Sequence, residues 1–482
     1  MPMPERTGKI APSIIWLAAA AIIAVGVVRY FGQPSFWLDE AFIALSLRSP
    51  SIQTIFGPLE AGQLFPRVYL AIIAILREAL GYRIWVLRLL PSLGFAIATL
   101  LWARLLIKRC GRSLPSALIA GALLLGSTFW LDQAIQLKQY TLDVLLALVP
   151  FLLGDDFYDQ SLVEGKRRWR LALIALPCLI SYTYPLALGA RVLGWYVSKR
   201  RIRKSAALML IVSVGFALLA VWFTDYRFNL LIRDSYSDYW SECILSSSHS
   251  TANAARLVAK FLWGWHGRQP LVTAGIVPLQ ILGVYSVLKR LRTTHRDGND
   301  RWGSRSFGSI LLLGGVVLAS ALGAYPICAG RLTLFTQVHT QILAVEGALF
   351  AFSWNKRNAA TIALYLFAGV VSFHSGRAYY RVAVSEPAEN LFPLVPAINT
   401  EITNTIWVHP CSASQVKSLP DALPGEVVFG SDKQQPAGKT WVLWSHLGNE
   451  HCVKSLEEVR LKARSWQVVS EGPGRGLALA EF

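Results

Sequence analysis

Charge is what this sequence has least of. Of 482 residues only 16% are charged, against about 25% in an average soluble domain, while 54% are hydrophobic. A mean hydropathy of +0.42 agrees, so an ordinary soluble enzyme is excluded. Six cysteines are too few for a disulfide scaffold, and none has the Cys or Cys/His spacing of a structural zinc site. No nucleotide-binding glycine fingerprint, P-loop or internal repeat is present. Disordered and collagen-like compositions are absent too.

What fills the chain instead is apolar runs of about 20 residues, the length that crosses a bilayer core of about 30 Å. Eleven spans are expected, near Ile10–Tyr30 and residues 85–107, 114–135, 140–157, 171–183, 184–198, 205–224, 271–290, 307–326, 331–353 and 358–375. The first has no convincing cleavage site after it and reads as an anchor rather than a secretory signal. The fifth and sixth are short and meet at Tyr182-Thr183-Tyr184-Pro185, which predicts a broken hairpin. Leu64–Leu80 carries Pro66, Arg67, Arg77 and Glu78 and reads as an interfacial helix.

The net charge of +18 could suggest a nucleic-acid partner, but its placement argues otherwise. With the N-terminus inside, 23 of the 47 basic residues fall in short cytoplasmic segments, among them Lys108, Arg109, Arg290, Arg292 and Arg305. This is the positive-inside pattern. The predicted fold is therefore a mainly α polytopic membrane domain over residues 1–375, with an outer first loop at 31–84, followed by a small soluble α/β domain at 376–482 outside the membrane. In that domain strands are expected at Thr405–Val408, Glu426–Phe429, Thr440–Trp444 and Gly476–Leu479, and a helix at Leu456–Ala463. Cys243, Cys411 and Cys452 fall outside the spans. A Cys411–Cys452 disulfide fits an oxidising compartment, and the sequence leaves that pairing open.

The outer face collects polar groups from distant parts of the chain. Asp39 and Glu40 follow Phe36-Trp37-Leu38, and a carboxylate held among apolar flanks can serve as a base. Lys138 and Tyr140 fit a snorkelling lysine and a belt tyrosine equally well, but Asp143 lies one turn into an apolar helix, where acids are costly and usually paired or functional. Tyr325-Pro326 leads through Gly330 to Arg331, a guanidinium at a helix start that suits an oxyanion or phosphate. Arg67, Tyr182 and Tyr184 could line the same cavity, with residues 225–250 above it. His339 reads as a hydrogen-bonded interior residue.

Taken in order, Leu38-Asp39-Glu40, the segment with Pro66 and Tyr69, Lys138-Gln139-Tyr140 with Asp143, and Tyr325-Pro326 with Gly330-Arg331 resemble bacterial GT-C glycosyltransferases. The similarity is to the family 39 relatives, which include protein O-mannosyltransferases and the aminoarabinose transferases of lipid A. Leu64-Phe65-Pro66-Arg67-Val68-Tyr69 departs from the family's usual double proline. The resemblance implies a multi-pass enzyme of the bacterial inner membrane with its C-terminal domain on the periplasmic side. It would take a sugar from a polyprenyl-phosphate carrier entering from the bilayer and pass it to a glycan, lipid or protein acceptor. It further implies Asp39 as the catalytic carboxylate with Glu40 beside it, and Lys138 and Arg331 at the carrier phosphate.

A phosphate leaving group needs no proton, so one base suffices where glycosidic hydrolysis needs two carboxylates. Direct displacement would invert the anomeric centre. Asp39 and Glu40 could hold Mg²⁺ or Mn²⁺, but with two cations for the phosphate no cofactor is required on this reading. The missing nucleotide fingerprint argues against a nucleotide-sugar donor. A transporter or flippase of lipid-linked sugars is the alternative, although its polar groups would be expected nearer the bilayer midplane and with an inverted repeat. A non-catalytic relative that binds a lipid-linked sugar is a third possibility that fold alone does not exclude.

Overall fold

The structure, a computed structural model, describes the chain except for residues 1–6, 33, 60–62, 111–112, 166–168, 200–201, 227–240, 246–249, 264–269, 295–300, 328–329, 355–358, 385–389, 420, 422, 431–435, 446–449 and 473–474. In chain order the first helices are α1 Thr7–Gly32, α2 Leu38–Ser46, α3 Ile52–Phe56, α4 Arg67–Leu80, α5 Ile84–Cys110, α6 Leu114–Leu125, α7 Thr128–Asp132, α8 Tyr140–Leu152, α9 Asp155–Tyr158 and α10 Trp169–Ala175. They are followed by α11 Tyr184–Lys199, α12 Lys204–Val221, α13 Thr251–Trp263, α14 Pro270–Thr294, α15 Arg301–Ala321, α16 Gln337–Trp354, α17 Ala359–Val384, α18 Ala413–Lys417 and α19 Glu450–Lys462. The strands are β1 Thr405–Val408, β2 Glu426–Phe429, β3 Lys439–Ser445, β4 Ser465–Gly472 and β5 Arg475–Glu481.

Two compact units result. One comprises Met1–Arg29, Phe65–Tyr69 and Pro91–Ala383; the other comprises Tyr30–Leu64, Leu70–Leu90 and Val384–Phe482. The expectation of a mainly helical chain ending in a small sheet domain holds.

Five helices among the described residues are long and apolar enough to cross a membrane: Ala11–Gly32, Ile84–Cys110, Lys204–Asp225, Val272–Thr293 and Gly303–Ala321. Other apolar runs break where the sequence supplies a reason. The run near 114–135 stops at Leu125, since Gly126 and Ser127 end α6 and α7 restarts at Thr128. The run near 171–183 passes into a 3-10 turn, Leu176–Leu179, because Pro177 cannot donate to a regular helix. The expected span 331–353 opens with a 3-10 turn, Arg331–Thr336, and becomes α-helical only at Gln337.

Apolar burial alone cannot hold helices together in lipid, so close backbone approach and internal polar contacts do that work. α14 crosses α16 at Gly283 and Gly347, so closely that a Cβ on either glycine would collide with a carbonyl of the other helix, Leu343 O or Leu279 O. α11 crosses α15 in the same manner, and a Cβ at Gly194 would sit 2.6 Å from Ser304 O. Buried charges flank both crossings. Glu346 of α16, fully buried, accepts from Arg109 of α5 (Nη2 to Oε2, 2.5 Å), from Arg290 of α14 and from Ser306 of α15 (2.7 Å). Asp155 accepts from Arg191 of α11 and, at 3.1 Å, from Ser304 Oγ of α15. The Arg191 guanidinium lies 4.8 Å from the Tyr158 ring centroid.

The second unit is built on a five-stranded sheet of order β2-β1-β3-β5-β4. β1 runs parallel to β2 and β3, while β5 is antiparallel to β3 and β4. Strand alternation divides its core. Ile406, Val408, Trp441, Leu443 and Leu477 face one layer, and Trp407, Val442, Trp444 and Ala478 face the other, with Val459 of α19. Both faces of the central strands are therefore covered. The strand β4, unexpected from sequence, carries a register irregularity between Val468 and Ser470 that breaks its two-residue alternation.

Residues of the first loop belong to this unit. Ser35 N donates to Asn390 Oδ1 (2.9 Å), Leu391 N to Ser35 Oγ (2.8 Å) and Tyr82 Oη to Ser418 O (2.9 Å), and α2 packs on α18. Cys411 and Cys452 form a disulfide that ties the turn before α18 to α19. Cys243 is also disulfide-bonded, whereas Cys110 and Cys178 are buried free thiols.

The α14–α16 crossing yields a direct test. Gly347→Val should cost about 1–3 kcal/mol or more through overpacking and lower the apparent melting temperature of the detergent-solubilised protein. Gly314→Val on α15, where a Cβ meets nothing within 4 Å, should leave it unchanged. Equal melting of the two variants would show that the crossing tolerates a side chain.

Candidate active site

The candidate residues fall into two groups, one in each compact unit. In the sheet-containing unit, α2 begins at Leu38, so Asp39 and Glu40 lie in its first turn, where the helix dipole favours negative charge. Glu40 folds back onto its own helix start, accepting from Trp37 N at 3.3 Å. Its carboxylate also receives Arg88 through two parallel bonds, Nε to Oε1 at 3.1 Å and Nη2 to Oε2 at 2.6 Å. Arg88 spends its remaining donors on Pro34 O (2.6 Å) and Ser35 O (3.3 Å), and its guanidinium lies 5.0 Å from the Phe36 ring centroid. Both partners are buried, so this bidentate pair locks the turn before α2. Asp39 is half-buried by contrast.

The same contacts bear on a metal. With both Glu40 oxygens engaged by Arg88, the Asp39–Glu40 pair offers a hard divalent cation one carboxylate rather than two. Among the described residues no three His, Cys, Asp or Glu side chains gather as a metal site.

The helical unit brings Arg67 and Lys138 onto one short segment. Lys138, buried at the turn between α7 and α8, lies with its Nζ 5.9 Å from the Phe65 ring centroid, and its carbonyl accepts from Tyr69 Oη at 3.4 Å. Arg67, between those two aromatics, pairs with Asp225 at 3.3 Å, both side chains 1% exposed. Burial pulls the Arg67 pKa down and the Asp225 carboxylate pushes it back up. The charge of Arg67 is thus neutralised locally.

Tyr140 opens α8 and is buried. Asp143, one turn later, accepts from Ser181 Oγ, which also contacts Thr183 Oγ1 (3.1 Å) and accepts from Tyr184 N (3.2 Å). The acid therefore stitches the predicted break between the 3-10 turn and α11. Tyr184 donates to Ile174 O at 2.6 Å and is fully buried, while Tyr182 is half-buried. Tyr325 reaches Leu332 O at 2.5 Å and so braces the 3-10 turn that Arg331 begins; the Arg331 side chain lies outside the described residues. Ile327 N donates to Cys243 O (2.7 Å) and Leu245 N to Ser320 Oγ (3.0 Å), which fastens the described part of the 225–250 loop over this connection. His339 is an interior residue, 3.0 Å from Ser309 Oγ and packed on Phe151.

Several charged residues were missed from sequence. Arg88, Arg191 and Glu346 each stand inside an apolar helix, and an isolated charge in such a run is a signal in its own right. Asp225 ends one.

The fold has known counterparts. It is similar to the crystal structure of ArnT from Cupriavidus metallidurans in the apo state, with TM-score 0.51 and 12% identity, covering 96% of this chain and 97% of that one. The structure of ArnT from the same organism bound to undecaprenyl phosphate matches with TM-score 0.50 and 13% identity over the same shares. The fold is GT-C-like. No protein-family model matches the sequence, and no curated protein matches it either. The expected GT-C-like architecture is therefore present, and the likeness spans nearly the full length of both chains.

The Glu40–Arg88 pair separates position from chemistry in this GT-C-like framework. Arg88→Ala should cost about 3–5 kcal/mol by leaving the Glu40 charge buried alone. Removing both charges together, as Glu40→Gln with Arg88→Met, should recover part of the loss. Thermal unfolding of the three proteins decides it; equal melting of Arg88→Ala and the unaltered protein would mean the pair does not hold the turn.

Proposed function

We propose that this protein is a membrane glycosyltransferase that moves a sugar from a polyprenyl-phosphate carrier to an acceptor hydroxyl, inverting the anomeric centre. The observation that carries the reading is the full-length GT-C-like fold, shared with a protein crystallised with undecaprenyl phosphate. The acceptor is a glycan, lipid or protein of the cell envelope.

Asp39 is the assigned base. Its carboxylate takes the acceptor hydroxyl proton as that oxygen bonds to the anomeric carbon, and the bond from that carbon to the phosphate oxygen breaks with its electron pair passing to the phosphate. Lys138 and Arg331 are assigned to that phosphate, where a positioned cation is worth about 2–4 kcal/mol by analogy with oxyanion donors. Glu40 supports rather than reacts, since its two oxygens are held by Arg88. A divalent cation is not required on this reading.

Charge and redox chemistry support an orientation. The basic clusters favour a cytoplasmic location for the ends bearing Arg109 and Arg290, and the disulfides favour an oxidising side for Cys243, Cys411 and Cys452. Both support a bacterial inner-membrane protein with its C-terminal domain in the periplasm.

Asp39→Asn should reduce transfer by about 10²–10⁴-fold while leaving polyprenyl-phosphate binding within a few-fold of the unaltered protein. Lys138→Ala should instead weaken carrier binding. Release of free polyprenyl phosphate and native mass spectrometry of the purified protein measure the two effects. Full activity of Asp39→Asn would remove Asp39 as the base.

A further inference from the structure

A set of buried carboxamides in the helical unit has side-chain oxygens without partners among the described residues. Gln337, at the start of α16, is fully buried, and neither its Oε1 nor its Nε2 has a partner among the described residues. Gln341 lies one turn along on the same face. Its Nε2 donates to Leu123 O (2.6 Å) and Ser127 Oγ (2.8 Å) where α6 ends, and its Oε1 has no partner among the described residues. Gln133 and Gln139, 3% and 7% exposed, lie on the connection that runs from the end of α6 to α8, each with Oε1 likewise unpartnered among the described residues. Gln139 is the N-cap position of α8, against which the 3-10 turn Arg331–Thr336 packs immediately before Gln337. Gln139, Gln337 and Gln341 thus lie where α6 ends, α8 begins and the 3-10 turn passes into α16, with Gln133 on the connection between α6 and α8 and Gln139 next in sequence to Lys138.

A buried carboxamide without a partner costs free energy unless a ligand supplies one. Carboxamides both donate and accept, which suits hydroxyl groups, and they carry no charge with which to match an ionic one. The buried carboxylates of this unit are already occupied, Asp143 by Ser181, Asp225 by Arg67, Asp155 by Arg191 and Glu346 by Arg109 and Arg290. Among these described acids, Asp225, Asp155 and Glu346 are neutralised by guanidinium groups and offer no charge to an ammonium on a sugar ring.

We propose that Gln133, Gln139, Gln337 and Gln341 form the sugar-recognition site and that the sugar is uncharged, bearing hydroxyls rather than amino or carboxylate groups. The assignment rests on the carrier-dependent reading above and adds the substrate class.

The test is binding of defined probes to the full-length protein in lipid nanodiscs, read by native mass spectrometry. The probes are decaprenyl phosphate alone and decaprenyl phosphate carrying a neutral hexose, a 4-amino-4-deoxypentose or a hexuronic acid. The neutral donor should bind at least ten-fold more tightly than the bare carrier and than either charged donor. Gln337→Ala should abolish that gain without changing binding of the bare carrier. The isosteric Gln337→Glu, which tests the same position without creating a cavity, should shift preference toward the amino-sugar donor. Tighter binding of a charged donor, or a neutral-sugar gain that survives both substitutions, overturns the assignment while the carrier reading stands. Failure of the bare carrier to bind overturns the carrier reading and takes this one with it.

Discussion

A charge inside an apolar bundle must be met by an opposite charge with its hydrogen bonds in place, because desolvation of a lone ion exceeds anything packing can return. Glu346 is the strongest instance here. Fully buried, it gathers donors from three other helices, α5, α14 and α15, onto α16. Asp155 does the same for α11 and α15. Neither pair need add much net stability, but each allows only one arrangement of its helices, since any other leaves a buried ion exposed to hydrocarbon. The glycine crossings at Gly283–Gly347 and Gly194–Gly308 complete the restriction by bringing backbones to a separation that side chains would forbid. The position of the Gln337 end of α16, about 14 Å along the helix from Glu346, is set by those contacts.

The same physics sorts the neighbouring acids Asp39 and Glu40. Sequence placed two carboxylates side by side and offered both for catalysis. Bidentate pairing with Arg88, itself tied to Pro34 O and Ser35 O, commits Glu40 to holding the turn. Asp39, in the same turn, is only half-buried. Asp143 shows the reverse of the usual inference about acids in apolar helices. It is buried because Ser181 and Tyr184 need a hinge across a helix break, so its cost is met by structure before any substrate is considered.

How much of this was legible depended on whether the signal was local. Apolar run length announced the long helices in outline, though the runs at 114–135, 171–183 and 331–353 break in the structure, and the Tyr182–Pro185 break and three of the four expected strands were placed closely, the strands to within a residue. β4 escaped because its alternation slips between Val468 and Ser470. The polar clusters at 39–40 and 138–143 were visible as unusual residues in apolar surroundings. Their partners were not, since Arg88 with Glu40, Arg67 with Asp225 and Glu346 with Arg109 and Arg290 are separated by dozens to hundreds of residues. Arg88, Arg191 and Glu346 carried a signal singly, as lone charges in apolar helices, although they were missed; which carboxylate meets which guanidinium is a property of the fold alone.

At 12% identity the likeness to ArnT concerns architecture, and a bundle of this kind constrains little else. What must persist is hydrophobic length, small residues where helices cross and paired charges where they are buried, and many sequences satisfy those demands. Chemistry therefore has to be argued from this chain's own polar groups. A transfer whose leaving group is already an anion asks for one base and for cations at the phosphate, a smaller set than glycosidic hydrolysis requires. This framework commits Glu40, Asp143, Asp225 and Arg67 to structural contacts, and the function proposed above assigns the reaction to Asp39, Lys138 and Arg331 instead. Drawing a second reactive carboxylate from Glu40, Asp143 or Asp225 would break a contact that the bundle or the α2 turn depends on, which supports the proposed transfer from a phosphate over hydrolysis of an ether.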